Sequence, residues 1–294
     1  MPHLDALIRG GTPGTTREHD LHDQLIHAQE GKRVMTSIKT QVSAPSSTAS
    51  TAAGQAVRLE AVVKKFGTGP SAVVALRGID LTLARGSFTA IMGPSGSGKS
   101  TFLHMAAGLD TPSTGSVWIG DTDISRMRAN KLAKFRRQHV GFVFQAYNLL
   151  PALTVEQNVT LPLLLAGRRV EAGWLDRMIR SVGLDELRQR RPAELSGGQQ
   201  QRVAIARALI TRPDAVFADE PTGALDSRTG RQVLDLLAQM TRELNQTVVM
   251  VTHDPAVASR ADRVIFLADG AFVGSLEGAT TQQIVDRMTE SGKW

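Results

Sequence analysis

Residues 93–101 have the composition of a phosphate-binding loop. They read Gly-Pro-Ser-Gly-Ser-Gly-Lys-Ser-Thr, which fits the P-loop pattern G-x-x-x-x-G-K-[ST]. Glycines allow a tight turn in which successive backbone N–H groups point inward, toward phosphate oxygens. Lys99 is placed to reach the β- and γ-phosphates of a nucleotide, and the Ser100 hydroxyl to ligate Mg²⁺. The predicted nucleotide-binding residues of this loop are Gly93, Pro94, Ser95, Gly96, Ser97, Gly98, Lys99, Ser100 and Thr101.

A carboxylate pair, Asp219 and Glu220, follows the apolar run 215–218. Asp219 is expected to bind Mg²⁺ directly or through water, and Glu220 to act as the general base that polarises the attacking water. Acidic pairs at strand ends are common, so this interpretation depends on the P-loop upstream.

A second candidate anion site lies in residues 195–199, which read Leu-Ser-Gly-Gly-Gln. Ser196 is a good helix N-cap, and the pattern from Gln199 to Ile210 predicts a helix. The glycines leave backbone N–H groups uncovered at the helix N-terminus, where anions are favoured. In isolation the same segment also fits an ordinary loop and cap. The residues concerned are Leu195, Ser196, Gly197, Gly198 and Gln199.

The elements that must position these residues alternate between strands and helices. Four short apolar runs, typical of strands buried on both faces, are separated by helical patterns such as 227–245. Such alternation predicts a mainly parallel sheet, whose ligands bind at the carboxyl ends of the strands. The runs are Phe88–Met92, Val140–Phe144, Ala215–Ala218 and Thr247–Val251, and they lead into the P-loop, Gln145, Asp219 and Thr252-His253 respectively.

The ordered set of motifs resembles the nucleotide-binding domain of ATP-binding cassette (ABC) transporters. The Leu-Ser-Gly-Gly-Gln segment lies about one hundred residues after the P-loop and about twenty before the carboxylate pair, with Gln145 between. The resemblance covers about 57–274. It implies an α/β fold: a P-loop NTPase core of the ABC type with a mainly parallel sheet, an antiparallel β-layer from about 57 to 91 and an inserted helical subdomain from about 125 to 195.

Individual residues carry over from the family as expectations. The signature segment 195–199 would contact ATP held by a second cassette, and Gln145 would sense Mg²⁺ and the attacking water. His253 would contact the γ-phosphate, and Phe66 would stack on adenine. The resemblance implies the catalytic residues Glu220, His253, Gln145 and Lys99, the metal-binding residues Ser100, Gln145 and Asp219, and a dimer-coupling loop of Ala224, Leu225 and Asp226. Gly223 stands where many cassettes have serine.

The stretches 144–163 and 220–226 are similar to the branch that contains macrolide-efflux, lipoprotein-release and antimicrobial-peptide-resistance transporters. The expected ligands are ATP and Mg²⁺, and the expected partners are membrane permease subunits and a second cassette, identical or different. The expected location is the cytoplasmic face of the cell membrane, and no nucleic acid is expected. Substrate and transport direction stay open.

Composition leaves some alternatives. The chain carries 41% hydrophobic and 21% charged residues, as ordinary globular proteins do, and a net charge of +6. A chromosome-maintenance or DNA-repair ATPase of the same superfamily is compatible with that charge. Such proteins usually insert coiled coils or zinc modules before the signature, and this chain has a short interval and no cysteine. The basic run 126–137 is either a solvated helix face or a surface near the membrane or the permease.

Residues 1–55 are predicted to be a disordered extension and linker, and residues 56–294 the nucleotide-binding domain. Positions 41–55 are small, polar and uncharged, so they cannot bury enough surface to repay the entropy of ordering. Met35 is an alternative start.

Deleting residues 1–54 should leave folding and ATP hydrolysis intact, because the segment offers no periodic apolar face for packing. Thermal unfolding and ATPase assays of the truncated and full chains provide the measurement. A large fall in melting temperature after truncation would contradict the prediction.

Overall fold

Short parallel strands that are buried on both faces form the centre of the molecule. The computed structural model describes residues 54–290. A six-stranded sheet runs in the order β10-β9-β3-β8-β7-β6, and only its edge strand β10 is antiparallel to its neighbour. Its strands are β3 (Phe88–Met92), β6 (Val140–Val143), β7 (Ala215–Asp219), β8 (Thr247–Thr252), β9 (Arg263–Ala268) and β10 (Ala271–Glu277). The predicted parallel sheet is confirmed.

The side chains of the central strands alternate between two separate cores. In β8, Val248 and Met250 join one core, and Val249 and Val251 join the other. Since both faces are covered, the strands contain almost no polar residues, which is why they appear in the sequence as continuous apolar runs.

A four-stranded antiparallel sheet covers one face together with the first helix. Its order is β2-β1-β4-β5, and apolar residues of β1, β2 and β4 share a core with the helix and the parallel sheet. The elements are β1 (Gln55–Phe66), β2 (Val73–Ala84), α1 (Lys99–Ala106), β4 (Thr114–Ile119) and β5 (Thr122–Asp123).

The antiparallel layer was predicted over about 57–91, and its C-terminal limit was wrong. Strand β1 begins at Gln55, inside the predicted linker, while β3 belongs to the parallel sheet. All five residues of β3 are buried, so the strand needs cover on both faces, which an outer layer cannot give it. Strands β4 and β5 complete the layer after α1, where no strand was predicted. Residues 1–53, which hold the rest of the predicted extension, lie outside the described residues.

Helices cover the other face and form the inserted subdomain. Within 125–195 lie three helices and two short 3₁₀ turns, although β6, in the same range, pairs with β7 in the core sheet. Among residues 54–290 no helix is both long and apolar enough to cross a lipid bilayer. The helices are α2 (Ala129–His139), α3 (Val155–Leu165), α4 (Ala172–Ser181), α5 (Gly197–Leu209), α6 (Ser227–Leu244), α7 (Pro255–Ala258) and α8 (Thr281–Glu290).

One buried side chain fixes the segment that connects β6 to α3. Asn158 is fully buried, and its Oδ1 accepts a hydrogen bond from the Leu150 N–H at 2.8 Å. Its Nδ2 lies 3.0–3.1 Å from the carbonyl oxygens of Leu150, Leu153 and Thr154. The Asn158 side chain thereby satisfies backbone groups of residues 150–154, which no neighbouring strand could bind.

Replacing Asn158 with Ala should lower the free energy of unfolding by about 1–3 kcal/mol, because buried backbone groups lose their partner. Chemical denaturation measures this loss. Asn130→Ala, on the exposed face of α2, is the matched control and should change stability little. Equal stability of the two variants would contradict the bracing role.

Candidate active site

The P-loop connects β3 to α1 in a conformation that requires glycine. Gly98 is the N-cap of α1 with φ of 102°, and its carbonyl accepts a hydrogen bond from the Phe102 N–H at 2.7 Å. A Cβ atom at this position would lie 2.6 Å from the carbonyl oxygen of Ala75 on β2. A side chain at Gly98 is therefore excluded both by the backbone conformation and by the neighbouring strand.

Lys99, the first residue of α1, turns back over the loop. Its Nζ donates hydrogen bonds to the carbonyl oxygens of Gly93 at 2.7 Å and Pro94 at 2.9 Å. Burial lowers the pKa of Lys99, and the charges of Glu220 and Asp219 oppose that shift. The P-loop lysine and the carboxylate pair thus share one electrostatic environment, although β8 lies between the strands that carry them.

Asp219 is the last residue of β7 and is paired in register with Val251 of β8. Burial raises the pKa of its carboxyl group and nearby Glu220 acts in the same direction, while His104 and Lys99 act in the opposite one. His104 lies in the last turn of α1 and was not among the predicted site residues. Helical spacing alone would not have distinguished it from a surface histidine.

Glu220 adopts a backbone conformation that is rare for a residue with a side chain. Its φ is 45°, and its N–H donates a hydrogen bond to the Val251 carbonyl at 3.0 Å, which extends the β7–β8 ladder. Nδ1 of His253 lies 2.7 Å from Oε1 of Glu220. The Glu220 side chain is 25% exposed and that of His253 69% exposed, so the pair faces solvent at the edge of the sheet.

A cavity of about 390 Å³ opens beside the P-loop. It is walled by β2 and by the β9–β10 turn as well as by the loop itself. Its lining residues are Val73, Val74, Ala75, Arg77, Gly96, Gly98, Lys99, Ser100, Thr101, Asp269 and Gly270. Phe66 is not among them, but it is exposed at the end of β1 and pairs with the lining residue Val73.

The β9–β10 turn was missed by the sequence analysis. The Gly270 N–H donates a hydrogen bond to the Ser97 carbonyl at 3.0 Å, so the turn supports the P-loop from behind. Asp269 and Gly270 both have positive φ, at 50° and 75°. An Asp-Gly pair between two apolar runs is a strong hairpin signal that could have located this wall.

The signature segment forms a capping box at the start of α5. The Ser196 N–H donates to Oε1 of Gln199 at 2.8 Å, and the Gln199 N–H donates to Oγ of Ser196 at 3.3 Å. The predicted N-cap is therefore present, and α5 begins at Gly197, two residues before the predicted start. None of the residues 195–199 lines the cavity beside the P-loop.

The two signature glycines pack directly against other parts of the same chain. A Cβ atom at Gly197 would lie 2.8 Å from the Tyr147 hydroxyl and 3.4 Å from Cδ2 of Leu225. A Cβ atom at Gly198 would collide with Cγ2 of Thr229 in α6. Glycine is required at both positions because α5 lies so close to Tyr147 and Thr229. This requirement is additional to the predicted exposure of backbone N–H groups.

Helix α5 also holds the segment after Gln145. Tyr147 and Asn148 have φ of 57° and 49°, and their carbonyl oxygens accept hydrogen bonds from Arg207 at 2.8 and 2.6 Å. Burial lowers the pKa of Arg207. Arg207 was not among the predicted site residues, because an arginine in a helix gives no signal of a distant carbonyl partner.

Gln145 lies against the segment that follows the carboxylate pair. A Cβ atom at Gly223 would lie 2.8 Å from Nε2 of Gln145. Glycine at 223 thus leaves room for the Gln145 amide, which a serine would displace. Gln201 of α5 reaches the same segment, since its Nε2 donates to the Pro221 carbonyl at 2.6 Å.

The predicted dimer-coupling loop has a local structural role. Oδ1 of Asp226 accepts hydrogen bonds from the N–H groups of Arg228 and Thr229, both at 3.0 Å, and so caps α6. Hydrogen bonding to Thr229, the largest cause, lowers the pKa of Asp226. Ala224 is exposed and Leu225 is half-buried against the signature.

Comparison with known proteins places this fold and its motifs in one family. The family model described as "ABC transporter" matches residues 76–223. The macrolide export ATP-binding/permease protein MacB of Marinobacter nauticus is 47% identical over 222 residues, covering 74% of this chain and 34% of the relative. The lipoprotein-releasing system ATP-binding protein LolD of Legionella pneumophila is 44% identical over 210 residues, covering 71% of this chain and 92% of the relative.

A solved structure extends the similarity to three dimensions. The ATP-binding cassette MJ0796, in a dimeric post-hydrolysis state bound to ADP and Pi, superimposes with a TM-score of 0.68 at 41% identity. The superposition covers 76% of this chain and 99% of that one. The chain spans about a third of the length of the macrolide export relatives and nearly all of the cassette structure. It therefore belongs to the ABC transporter family, as one of that family's ATPase cassettes.

Proposed function

We propose that this chain is the ATP-hydrolysing subunit of a membrane transporter and works through ATP-driven pairing of two cassettes. The observation that carries the proposal is the position of Lys99, held by P-loop carbonyls and electrostatically coupled to Asp219 and Glu220. A phosphate-binding loop beside a carboxylate that can activate water is the arrangement that nucleotide hydrolysis requires.

The residues beside the P-loop fit ATP and Mg²⁺. An ammonium has three donors, and Lys99 uses two of them on Gly93 and Pro94, which leaves one for a phosphate oxygen. The Ser97 hydroxyl is buried and has no hydrogen-bond partner among the described residues. No group of three or more His, Asp or Glu side chains in 54–290 could hold a metal ion unaided.

That finding agrees with Mg²⁺ bound jointly by protein and nucleotide oxygens. Ser100, Gln145 and Asp219 are the side chains proposed to hold it, and a bound Mg²⁺ would neutralise negative charge on the phosphates. Phe66 is proposed to lie against the adenine ring. Its exposure and its pairing with the cavity residue Val73 support that position.

Hydrolysis would begin with a water molecule beside Glu220. The carboxylate accepts a proton from the water while the oxygen of the water attacks the γ-phosphorus. The bond between the γ-phosphorus and the bridging oxygen breaks, and that oxygen leaves with ADP. His253, 2.7 Å from Glu220, orients the carboxylate and presents its ring to the transferred phosphoryl group. The left-handed backbone conformation of Glu220 is uncommon for a residue with a side chain, and such conformations are concentrated at functional sites.

The signature segment is proposed to act on a second cassette. It is an N-terminus of a 13-residue helix with a serine cap, yet it does not line the cavity of its own chain. Two cassettes related by a two-fold axis would each supply a P-loop to one site and a signature to the other. The dimeric cassette MJ0796 bound to ADP and Pi supports this arrangement.

The relatives support a transport role and a position at the membrane. Their names describe macrolide export and lipoprotein release, and LolD is an ATP-binding subunit of nearly the same length as the matched region. We propose that this chain docks on permease subunits at the cytoplasmic face of the membrane, near the Gln145 segment. The DNA-repair alternative gains no support from these relatives.

Substitutions of Lys99 and Glu220 should separate binding from chemistry. Lys99→Ala should weaken ATP binding by about tenfold or more, because a charge-assisted contact to phosphate is lost. Glu220→Gln keeps the shape and should retain ATP binding while turnover falls by about 10²–10⁴-fold. Equilibrium binding and phosphate-release assays measure the two effects.

Matched controls are Lys134→Ala and Glu186→Gln, which alter exposed residues outside the cavity. Both should bind and hydrolyse ATP as the unaltered chain does. Normal turnover in Glu220→Gln would rule out Glu220 as the base.

Hydrolysis by the isolated subunit should depend on pairing, so specific activity should rise with protein concentration. Mixing Lys99→Ala chains with Ser196→Arg chains tests this more sharply, provided that the chain pairs with itself. Each variant alone should form dimers with two defective sites, whereas the mixed dimer regains one intact site. Equal mixing should then restore up to about a quarter of the unaltered activity, measured as phosphate release.

The matched control mixes Lys99→Ala with Glu220→Gln chains. Because both lesions affect the cavity side, each site of that mixed dimer remains defective and activity should not return. Activity that is independent of concentration, with no recovery in either mixture, would favour a monomeric P-loop enzyme.

A further inference from the structure

Helix α2 carries a row of cations that the proposed ATPase mechanism does not use. Arg128, the N-cap of α2, and Lys131, Lys134 and Arg137 recur every three residues, so they form a row that winds around about half of the helix circumference over about 14 Å. All four side chains belong to exposed residues. Leu132 is the one residue of α2 that is buried, and the four cations lie at the surface around it.

The cations of this row are not neutralised by acidic neighbours. Arg128, Lys131 and Lys134 make no ion pair and donate no side-chain hydrogen bond to any residue in 54–290. Between positions 124 and 170 the chain has eight Arg or Lys and a single acid, Glu156. Glu156 lies 3.7 Å from Arg188 and so belongs to another cluster. Like charges at this spacing destabilise a helix, so the row brings no stability to the fold.

An exposed apolar pair lies next to the end of the cationic row. Leu164 and Leu165, at the end of α3, are 73% and 58% exposed. Nη1 of Arg137 donates a hydrogen bond to the Leu165 carbonyl at 2.9 Å, which joins the two helices. Arg168 and Arg169 follow the leucines and are also exposed. We call the row 128–137 together with residues 164–169 the α2–α3 patch.

We propose that the α2–α3 patch contacts the anionic lipid surface of the membrane directly. Phosphate headgroups match the unpaired cations, and the two leucines can enter the boundary between headgroups and acyl chains. The contact goes beyond the proposed function, since it involves neither ATP, nor a permease, nor a second cassette. It would orient the subunit on the membrane independently of protein partners.

The composition of the patch favours lipid over nucleic acid. Single-stranded nucleic acids are bound by exposed aromatic rings between cations, whereas the aromatic ring of the patch, Phe135, is half-buried against the core and stacks on His139. Two adjacent exposed leucines contribute little to binding a sugar–phosphate backbone. An acidic protein surface would match the cations but would leave the exposed leucines without a role.

Co-sedimentation of the full chain with vesicles tests the proposal. Vesicles of phosphatidylcholine with about one third phosphatidylglycerol should bind the chain at low salt. Pure phosphatidylcholine vesicles should bind it weakly, and added salt should release it. The double variant Lys131→Glu, Lys134→Glu should bind at least about tenfold less tightly, and the double variant Leu164→Ser, Leu165→Ser should also bind less tightly.

The matched control is the double variant Arg231→Glu, Arg242→Glu, which makes the same change in net charge on the exposed face of α6. It should bind as the unaltered chain does. The Lys131, Lys134 and leucine variants should also retain the ATPase rate of the unaltered chain, because none of these residues lines the cavity. A normal rate shows that the variant is folded.

Four results would overturn the proposal. The first two are no binding of the unaltered chain to the anionic vesicles and an equal loss of vesicle affinity in the two charge-reversal variants. The other two are normal vesicle binding by the Lys131, Lys134 variant and normal vesicle binding by the leucine variant. If the Lys131, Lys134 variant binds vesicles normally but no longer co-purifies with the membrane subunit, the patch serves an acidic protein surface instead.

Discussion

The interaction on which the site depends is the electrostatic coupling of Lys99 to Asp219 and Glu220 across three parallel strands. The lysine follows β3 and the carboxylates end β7, and β8 lies between them with His253 just beyond its end. A partly buried ammonium is costly unless opposite charge and hydrogen-bond acceptors surround it. The strand order brings the negative charges of Asp219 and Glu220 toward Lys99, and the P-loop carbonyl oxygens accept its hydrogen bonds. The fold thus meets the condition for keeping this ammonium partly buried.

Helix α5 connects the other functional segments of the chain. Its N-terminus packs on Tyr147 and Thr229, its buried Gln201 binds the Pro221 carbonyl, and Arg207 holds the turn after Gln145. A displacement of α5 would therefore reach the segment after Asp219 and Glu220 and the segment proposed to face the permease. A partner's nucleotide that pulls on the signature would act on both through one rigid element.

The sequence predicted the parts of the molecule whose signals are local. Both-face burial makes the parallel strands continuous apolar runs, and the glycine, lysine and hydroxyl spacing of 93–101 is readable without neighbours. The sequence could not predict contacts between distant segments, such as that of Arg207 with the Tyr147 carbonyl, because nothing in the helical pattern around Arg207 specifies its partner. The C-terminal limit of the antiparallel layer was mispredicted for the same reason, since β4 joins it only by pairing with β1, and β5 only by pairing with β4.

The two signature glycines are required by packing within the chain as well as by their proposed role in phosphate binding. At Gly198 a single added carbon would collide with Thr229, and at Gly197 it would crowd Tyr147. Both neighbours lie in segments of the same chain, so larger residues would separate α5 from α6 and from the Gln145 segment even in a single cassette. The glycines thus allow close packing within one cassette, and they belong to the segment that we propose contacts a partner's nucleotide. A substitution at either glycine would impair both, whereas a change at Ser196 would affect the exposed cap alone.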